Sequence, residues 1–238
     1  MKKVYLDNAS TTAMRPEVIQ VMVDCMAQDY GNPSSTHSLG RHAKSILELS
    51  RKSIAKALNA TAQEILFTSG GTEANNWILR SAVKDLKVRR IISSKMEHHA
   101  VLYPILELQK EFDIQVEYVE NSADGVLDLT HLVDLLSEST EKTLVSLMHV
   151  NNETGVILDL ERVSQICQEH HALFHSDTVQ SVGKAILDLQ KVPIDFIVSS
   201  AHKFHGPKGV GFAFIRKNSG LQPLFFGGEQ EKGLRSGT

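Results

Sequence analysis

The chain has 238 residues, 42% of them apolar, with 25 Lys and Arg against 28 Asp and Glu and a formal net charge of −3. That much apolar matter fills the core of one large domain or two small ones, and the near balance of charge, without a long single-sign block, excludes the electrostatic footprint of a nucleic-acid binder or a polybasic membrane binder. Two cysteines far apart, Cys25 and Cys167, make no disulfide framework and suit a reducing, cytoplasmic compartment, while an early acid, Asp7, and the lack of any run near the roughly 20 apolar residues of a spanning helix argue against secretion and membrane insertion.

In chain order, apolar residues at helical spacing mark a helix from Pro16 to Ala27, where Val18, Met22, Cys25 and Met26 share a face. A second follows from His37 to Leu58, with Ile46, Leu49, Ile54 and Leu58 recurring. Between them, Tyr30-Gly31-Asn32-Pro33-Ser34-Ser35 is dense in turn formers and reads as a loop. Short β-rich runs then appear at Glu64–Phe67, Arg90–Ser93, Gln115–Val119, Thr143–Val150, Leu173–His175 and Phe196–Ser199. Amphipathic helices at Thr72–Leu86, Ala100–Phe112, Leu129–Ser137 and Leu160–His171 separate most of them. The alternation predicts an α/β fold, a mainly parallel mixed sheet sandwiched by helices, with Gly209–Ile215 as a further strand that can turn antiparallel. No repeat, low-complexity tract or linker interrupts the series, so residues 1–15 read as an N-terminal arm and 16–238 as one large domain.

Ligands of such sheets bind beyond the carboxyl ends of the strands. The segments there are polar, and the first, Ser69-Gly70-Gly71-Thr72, is a strand, two residues without Cβ and a helix whose first turn carries a hydroxyl. Close backbone approach, free N–H groups and about half a positive charge at the helix start make an anion site. Without the Lys-Ser/Thr of a P-loop or the dinucleotide spacing, a monophosphate suits it better than a nucleotide. An ordinary glycine turn with Thr72 as N-cap is the alternative.

Lys203 follows a strand within Ser200-Ala201-His202-Lys203. Partly desolvated beside His202 and Lys208, it can be an amine nucleophile that condenses with a carbonyl; a clamp for phosphate or carboxylate is the other reading. Asp177 ends the strand through Leu173-Phe174, where an unpaired carboxylate is costly. The protonated pyridine nitrogen of a cofactor would serve as its partner, as would a distant arginine, or a helix to cap. His98 opens a helix at the same sheet edge, where its ring can stack on a flat ligand or move protons. The histidine pairs lack the i, i+4 spacing or carboxylate support of a metal site, so no metal is expected. Phosphate cradle, Schiff-base lysine, pyridinium partner and stacking ring together describe a pyridoxal 5′-phosphate site.

These residues resemble those of the NifS/IscS-type cysteine desulfurases of the class V aminotransferase group. The likeness runs in order from Tyr5-Leu6-Asp7-Asn8-Ala9-Ser10-Thr11-Thr12 through Gly31-Asn32-Pro33-Ser34-Ser35, Ser69-Gly70-Gly71-Thr72-Glu73 and Glu97-His98-His99-Ala100. It continues through His149-Val150-Asn151-Asn152-Glu153-Thr154-Gly155, Asp177-Thr178-Val179-Gln180-Ser181 and Ser200-Ala201-His202-Lys203 to Arg235-Ser236-Gly237-Thr238. The resemblance implies the large domain of a fold-type I pyridoxal-phosphate enzyme. It makes Lys203 the Schiff-base lysine and Asp177 the partner of the pyridine nitrogen, with Gln180 and Asn152 on the ring hydroxyl side and His98 stacked on the ring. Gly71, Thr72, Ser200 and His202 would hold the phosphate, and Thr238 would reach that of the partner subunit in a homodimer. The implied substrate is L-cysteine, converted to L-alanine while sulfur passes as a persulfide to an iron–sulfur scaffold or a tRNA-thiolation carrier.

The family's small C-terminal domain, with its nucleophilic cysteine and carboxylate-binding arginine, is expected to be missing. Cys25 and Cys167 read as inert core thiols, so this chain is expected to bind cofactor without completing sulfur transfer. Selenocysteine lyase or aminotransferase-like activity on the same scaffold is an alternative. So is a non-catalytic module that binds the cofactor and pairs with a full-length relative.

Overall fold

The computed structural model describes residues 3–237. Helices α1 (Pro16–Gln28) and α2 (Ser38–Ala57) precede β1 (Ile65–Thr68), α3 (Gly71–Lys84), β2 (Arg90–Ser93), α4 (His99–Phe112) and β3 (Gln115–Tyr118). Then come α5 (Leu129–Ser137), β4 (Thr143–Ser146), α6 (Leu160–Glu169), β5 (Leu173–Asp177), β6 (Phe196–Ser200), a 3₁₀ turn (Ala201–Lys203) and β7 (Gly211–Ile215). Every expected helix and strand is present. The largest departure is β4, expected to reach Val150: Leu147 and His149 still donate to the His175 and Asp177 carbonyls, but the chain is already turning toward the Asn151 loop, where Asn151 Oδ1 accepts from the amides of Glu153 and Thr154 at 2.9 Å each.

The seven strands form one sheet in the order β1-β7-β6-β5-β4-β2-β3. β7 runs antiparallel to both β1 and β6, and the remaining pairs are parallel. β1 therefore points the same way as β6, and the carboxyl ends of β1, β2, β4, β5 and β6 gather at one edge. Alternate residues of each strand face opposite layers, as the pleat requires. Ile65, Ile92, Val145, Ile197 and Phe214 join the cluster under α2, α5 and α6, while Leu66, Ile91, Leu144, Val198 and Ala213 join the cluster under α3 and α4. Burial on both faces explains why these strands read as continuous apolar runs in the sequence.

The N-terminal arm is attached by polar contacts. Thr12 N donates to the His202 carbonyl at 2.8 Å, His205 N donates to Thr12 Oγ1 at 2.7 Å, and Arg15 N donates to the His205 carbonyl at 3.1 Å. Residues 9–15 thus lie along the segment that carries Lys203. Among the described residues no helix is long and apolar enough to cross a membrane.

Candidate active site at the carboxyl edge of the sheet

Helix α3 starts at Gly71, with Gly70 rather than Thr72 at the cap position and no side chain capping its first amides. By contrast, α4, α5 and α6 begin on His98, Asp128 and Asp159, each of which accepts from an amide of its own helix. The first turn of α3 therefore keeps outward N–H groups for another acceptor. Gly70 has φ of 152°, and a Cβ on Gly71 would lie 2.7 Å from Val179 Cγ2. A side chain at position 71 would close the cleft between α3 and the loop after β5.

Asp177, at the end of β5, is 5% exposed. Its Oδ2 accepts from Asn75 Nδ2 at 2.8 Å and its Oδ1 from Val179 N at 3.0 Å. Both donors are neutral. Burial raises its carboxyl above the ordinary aspartate range, against the pull of those two hydrogen bonds and of the His98 and Lys203 side chains. Neither a paired arginine nor a capped helix accounts for it. Among the described residues this buried carboxylate has no bonded cation, and Asn75 Oδ1 beside it is also buried without a partner.

The loop after β2 and the loop after β4 are stapled together: Asn151 Nδ2 donates to the Met96 carbonyl at 2.8 Å and Met148 N donates to Glu97 Oε1 at 2.7 Å. The staple holds His98 and Asn152 at the same edge. His98 Nδ1 accepts from Ala100 N at 3.0 Å, so the neutral ring carries its proton on Nε2. His99 is exposed and stacks on Tyr103 with ring centroids 4.8 Å apart. Glu97 Oε2 is buried without a partner. Burial above all, and then the Asp177 carboxylate, push the Glu97 acid well above its usual range, against the Met148 hydrogen bond.

Lys203 ends the 3₁₀ turn, and its Nζ donates to the Ala9 carbonyl of the arm. Burial first and the Lys184 ammonium second hold its amine below the ordinary lysine value, against the pull of Asp177 and Asp7. The sequence reading expected His202 and Lys208 as the neighbouring cations. His202 does neighbour Lys203 and is itself held down by burial and then by Lys203 and Lys208, while the ammonium that acts on Lys203 is Lys184 rather than Lys208.

Gly71, Thr72, His98, Asn152, Asp177, Gln180, Ser200, His202 and Lys203 all line one cavity of about 190 Å³. Thr238 lies outside the described residues. Sequence reasoning missed Asn75, Ala9 and Lys184. Asn75 was accessible in principle, because it stands one helical turn beyond Gly71 and therefore on the same face; Ala9 and Lys184 reach the site only through tertiary contacts. Cys167 is buried, 1% exposed, and burial pushes its thiol far up. Cys25 departs from the expectation of a core thiol: α1 buries no residue, and Cys25 is half-buried. Neither cysteine lines the cavity.

Comparison with known proteins bears on this arrangement. The aminotransferase class-V family matches residues 4–236. A protein named cysteine desulfurase IscS from Dictyoglomus turgidum is 42% identical over 100% of this chain, which covers 60% of that relative. The chain thus spans about three fifths of that relative's length. A solved NifS-like protein superposes with a TM-score of 0.95 at 41% identity, over 100% of this chain and 65% of that one. SspA in complex with cysteine superposes with a TM-score of 0.91 at 31% identity, over 99% of this chain and 68% of that one. With the family match spanning nearly all of the chain and the same mixed sheet in both structures, this chain belongs to the aminotransferase class-V family and has cysteine desulfurases of the NifS/IscS type as homologues.

Proposed function

We propose that the chain carries the cofactor site of a pyridoxal 5′-phosphate-dependent cysteine desulfurase. One observation supports this above all: a buried aspartate with only neutral donors and a lysine held below its ordinary value open into one cavity, beside a helix start that no side chain caps. The residues suit that group. Asp177 would hold the ring nitrogen, whose positive charge supplies what Asn75 and Val179 do not. Gly71, Thr72, Ser200 and His202 would bind the phosphate, with the α3 amides adding fixed positive dipoles. Gln180 and Asn152 would hold the ring hydroxyl side, and His98 would stack on the ring with Nε2–H free to donate.

When bound, the cofactor supplies an aldehyde carbon that condenses with amines and a ring that takes up electron density. Lys203 would hold that carbon, and afterwards take or return the proton at the α-carbon of the substrate. The same reading takes L-cysteine as substrate, L-alanine as product, and an iron–sulfur scaffold or tRNA-thiolation carrier as sulfur acceptor. It also makes the protein a cytoplasmic homodimer, with residues 1–15 as an arm on the large domain 16–238. Because neither Cys25 nor Cys167 lines the cavity, the chain alone binds cofactor and passes no sulfur. The same observation favours a second reading, a selenocysteine lyase, which needs no protein thiol.

Adding pyridoxal 5′-phosphate to the purified chain should produce a visible absorbance band that Lys203→Ala abolishes, and borohydride should fix the adduct on the Lys203 peptide. A band that survives Lys203→Ala, or an adduct elsewhere, sinks the proposal. Alanine released from selenocysteine but not from cysteine selects the second reading, and persulfide on Cys25 after incubation with L-cysteine would refute the claim that no sulfur is passed.

A further inference from the structure

Lys184 lies outside the cavity, on the loop that leaves β5; the residue is exposed, though partial burial holds its amine below the ordinary lysine value. Its Nζ donates to Gln180 Oε1 at 3.2 Å. An ammonium has donors and no acceptor, so Lys184 holds the oxygen end of the Gln180 amide. The nitrogen end is then turned the other way, and Nε2 donates to the Ala9 carbonyl at 2.7 Å. That carbonyl also accepts from Lys203 Nζ. One amide and one carbonyl therefore join two amines, and Gln180 Nε2 keeps a second N–H for the cavity that Gln180 lines.

We propose that Lys184 is a positioning residue for this site: it turns the Gln180 amide so that its N–H end serves the cavity, and it sets a second positive charge beside Lys203. The inference rests on Lys203 being the condensing amine, as proposed above. Only a neutral amine attacks a carbonyl carbon, and a neighbouring cation favours that form. The groups that face Lys203 come from several elements: Asp177 at the end of β5, Asp7 on the arm, His202 in its own turn, and Lys184. The two carboxylates favour the charged amine. Burial and Lys184 oppose them, and the outcome is a lysine below its ordinary value. Gln180, presented as a donor, suits an acceptor oxygen on the ligand. Reversed, the same amide would present an oxygen and repel it.

The test uses the whole chain, cleared of bound carbonyl compounds with hydroxylamine and exposed to pyridoxal 5′-phosphate across a series of pH values before borohydride is added. The lysine nitrogen bonds the aldehyde carbon, the aldehyde oxygen leaves as water, and hydride from borohydride reduces the carbon–nitrogen double bond, so peptide mapping counts the product at Lys203. Lys184→Met should lower capture at Lys203 several-fold near neutral pH and displace the profile to higher pH. Lys184→Arg, which keeps the charge and the donors, should return the profile to that of the parent. Lys184 is exposed, so neither replacement uncovers the core. Superimposable profiles for the Met variant and the parent, or an Arg variant displaced as far as the Met variant, would overturn the role of Lys184. A parent chain that captures nothing at Lys203 would overturn the cofactor reading as well, and the two failures are thereby distinguished.

Discussion

Helices α1 and α3 are alike on paper and opposite in the folded chain. Both carry apolar residues at helical spacing, yet α3 buries Ala74, Trp77, Ile78, Leu79, Ala82 and Val83, whereas α1 buries nothing and leaves Ile19, Val21, Val23 and Met26 exposed. Periodicity reports that a segment can be a helix with an apolar face. It does not report what covers that face. α3 is seated because the sheet and α4 press on it, and its N-terminus is thereby fixed at the strand ends where the cavity opens. The arm before α1 reaches the same edge by hydrogen bonds to residues 202–205, a local attachment that asks nothing of α1.

The strongest way to break this contrast is Trp77→Ala. Trp77 is 1% exposed and its indole Nε1 donates to the Gln222 carbonyl at 2.7 Å, so its removal should cost about 3–5 kcal/mol in denaturant unfolding. A loss below 1 kcal/mol would mean that α3 is not part of the cooperative core. Next in size is Glu231→Ala. Glu231 pairs with Arg51 at 2.6 and 2.8 Å, and the Arg51 side chain is only 2% exposed. Arg51 keeps Glu48 Oε1 at 3.0 Å and the Ile65 carbonyl at 2.7 Å, so losing the charge-assisted hydrogen bonds to Glu231 should cost about 2 kcal/mol. Glu111→Ala, which breaks the exposed pair with Arg80, should cost far less than either by the same measurement, because solvent screens the pair. Equal losses would remove burial as the deciding variable.

Asp177→Asn sharpens the contrast inside the site. The folded chain raises this carboxyl above its ordinary value of 3.8, so it binds its proton more tightly folded than unfolded. Its contribution to stability is full below the unfolded value and is lost as pH rises through the folded one. Without cofactor, the parent should therefore lose more stability than the Asn variant as pH rises past the ordinary aspartate value of 3.8. With cofactor the order should reverse, since the variant lacks the charge that holds the ring nitrogen. Thermal unfolding across pH, with and without pyridoxal 5′-phosphate, checks both signs. The smallest effect belongs to α1: Ile19→Ser, at a position 47% exposed, should change the stability of this chain by no more than about 0.5 kcal/mol.

Much of the fold was legible because each strand run and each helix of the α/β series carries its own periodicity, and the polar strand-end segments could be picked out before their arrangement was known. Asp177, Lys203, His98 and the Gly70-Gly71 turn each stood out as a residue type that is costly or unusual at its place. Less legible was the company they keep. Asn75, Ala9 and Lys184 carry no chemical flag of their own, and the core thiol expected at Cys25 failed because α1 is covered only in part, with Val18, Met22 and Cys25 half-buried and no residue fully so.

The sequence by itself determined the alternation of helices and strands, the parallel sheet, and the residue types waiting at the strand ends, since these follow from local sterics and side-chain period. Only the tertiary structure decided which ammonium stands beside Lys203, that Asp177 meets neutral donors alone, and that α1 buries no residue fully. Charge, burial and solvent act through distances in space, and those distances are set by how the sheet edge, the arm and the loop after β5 come together.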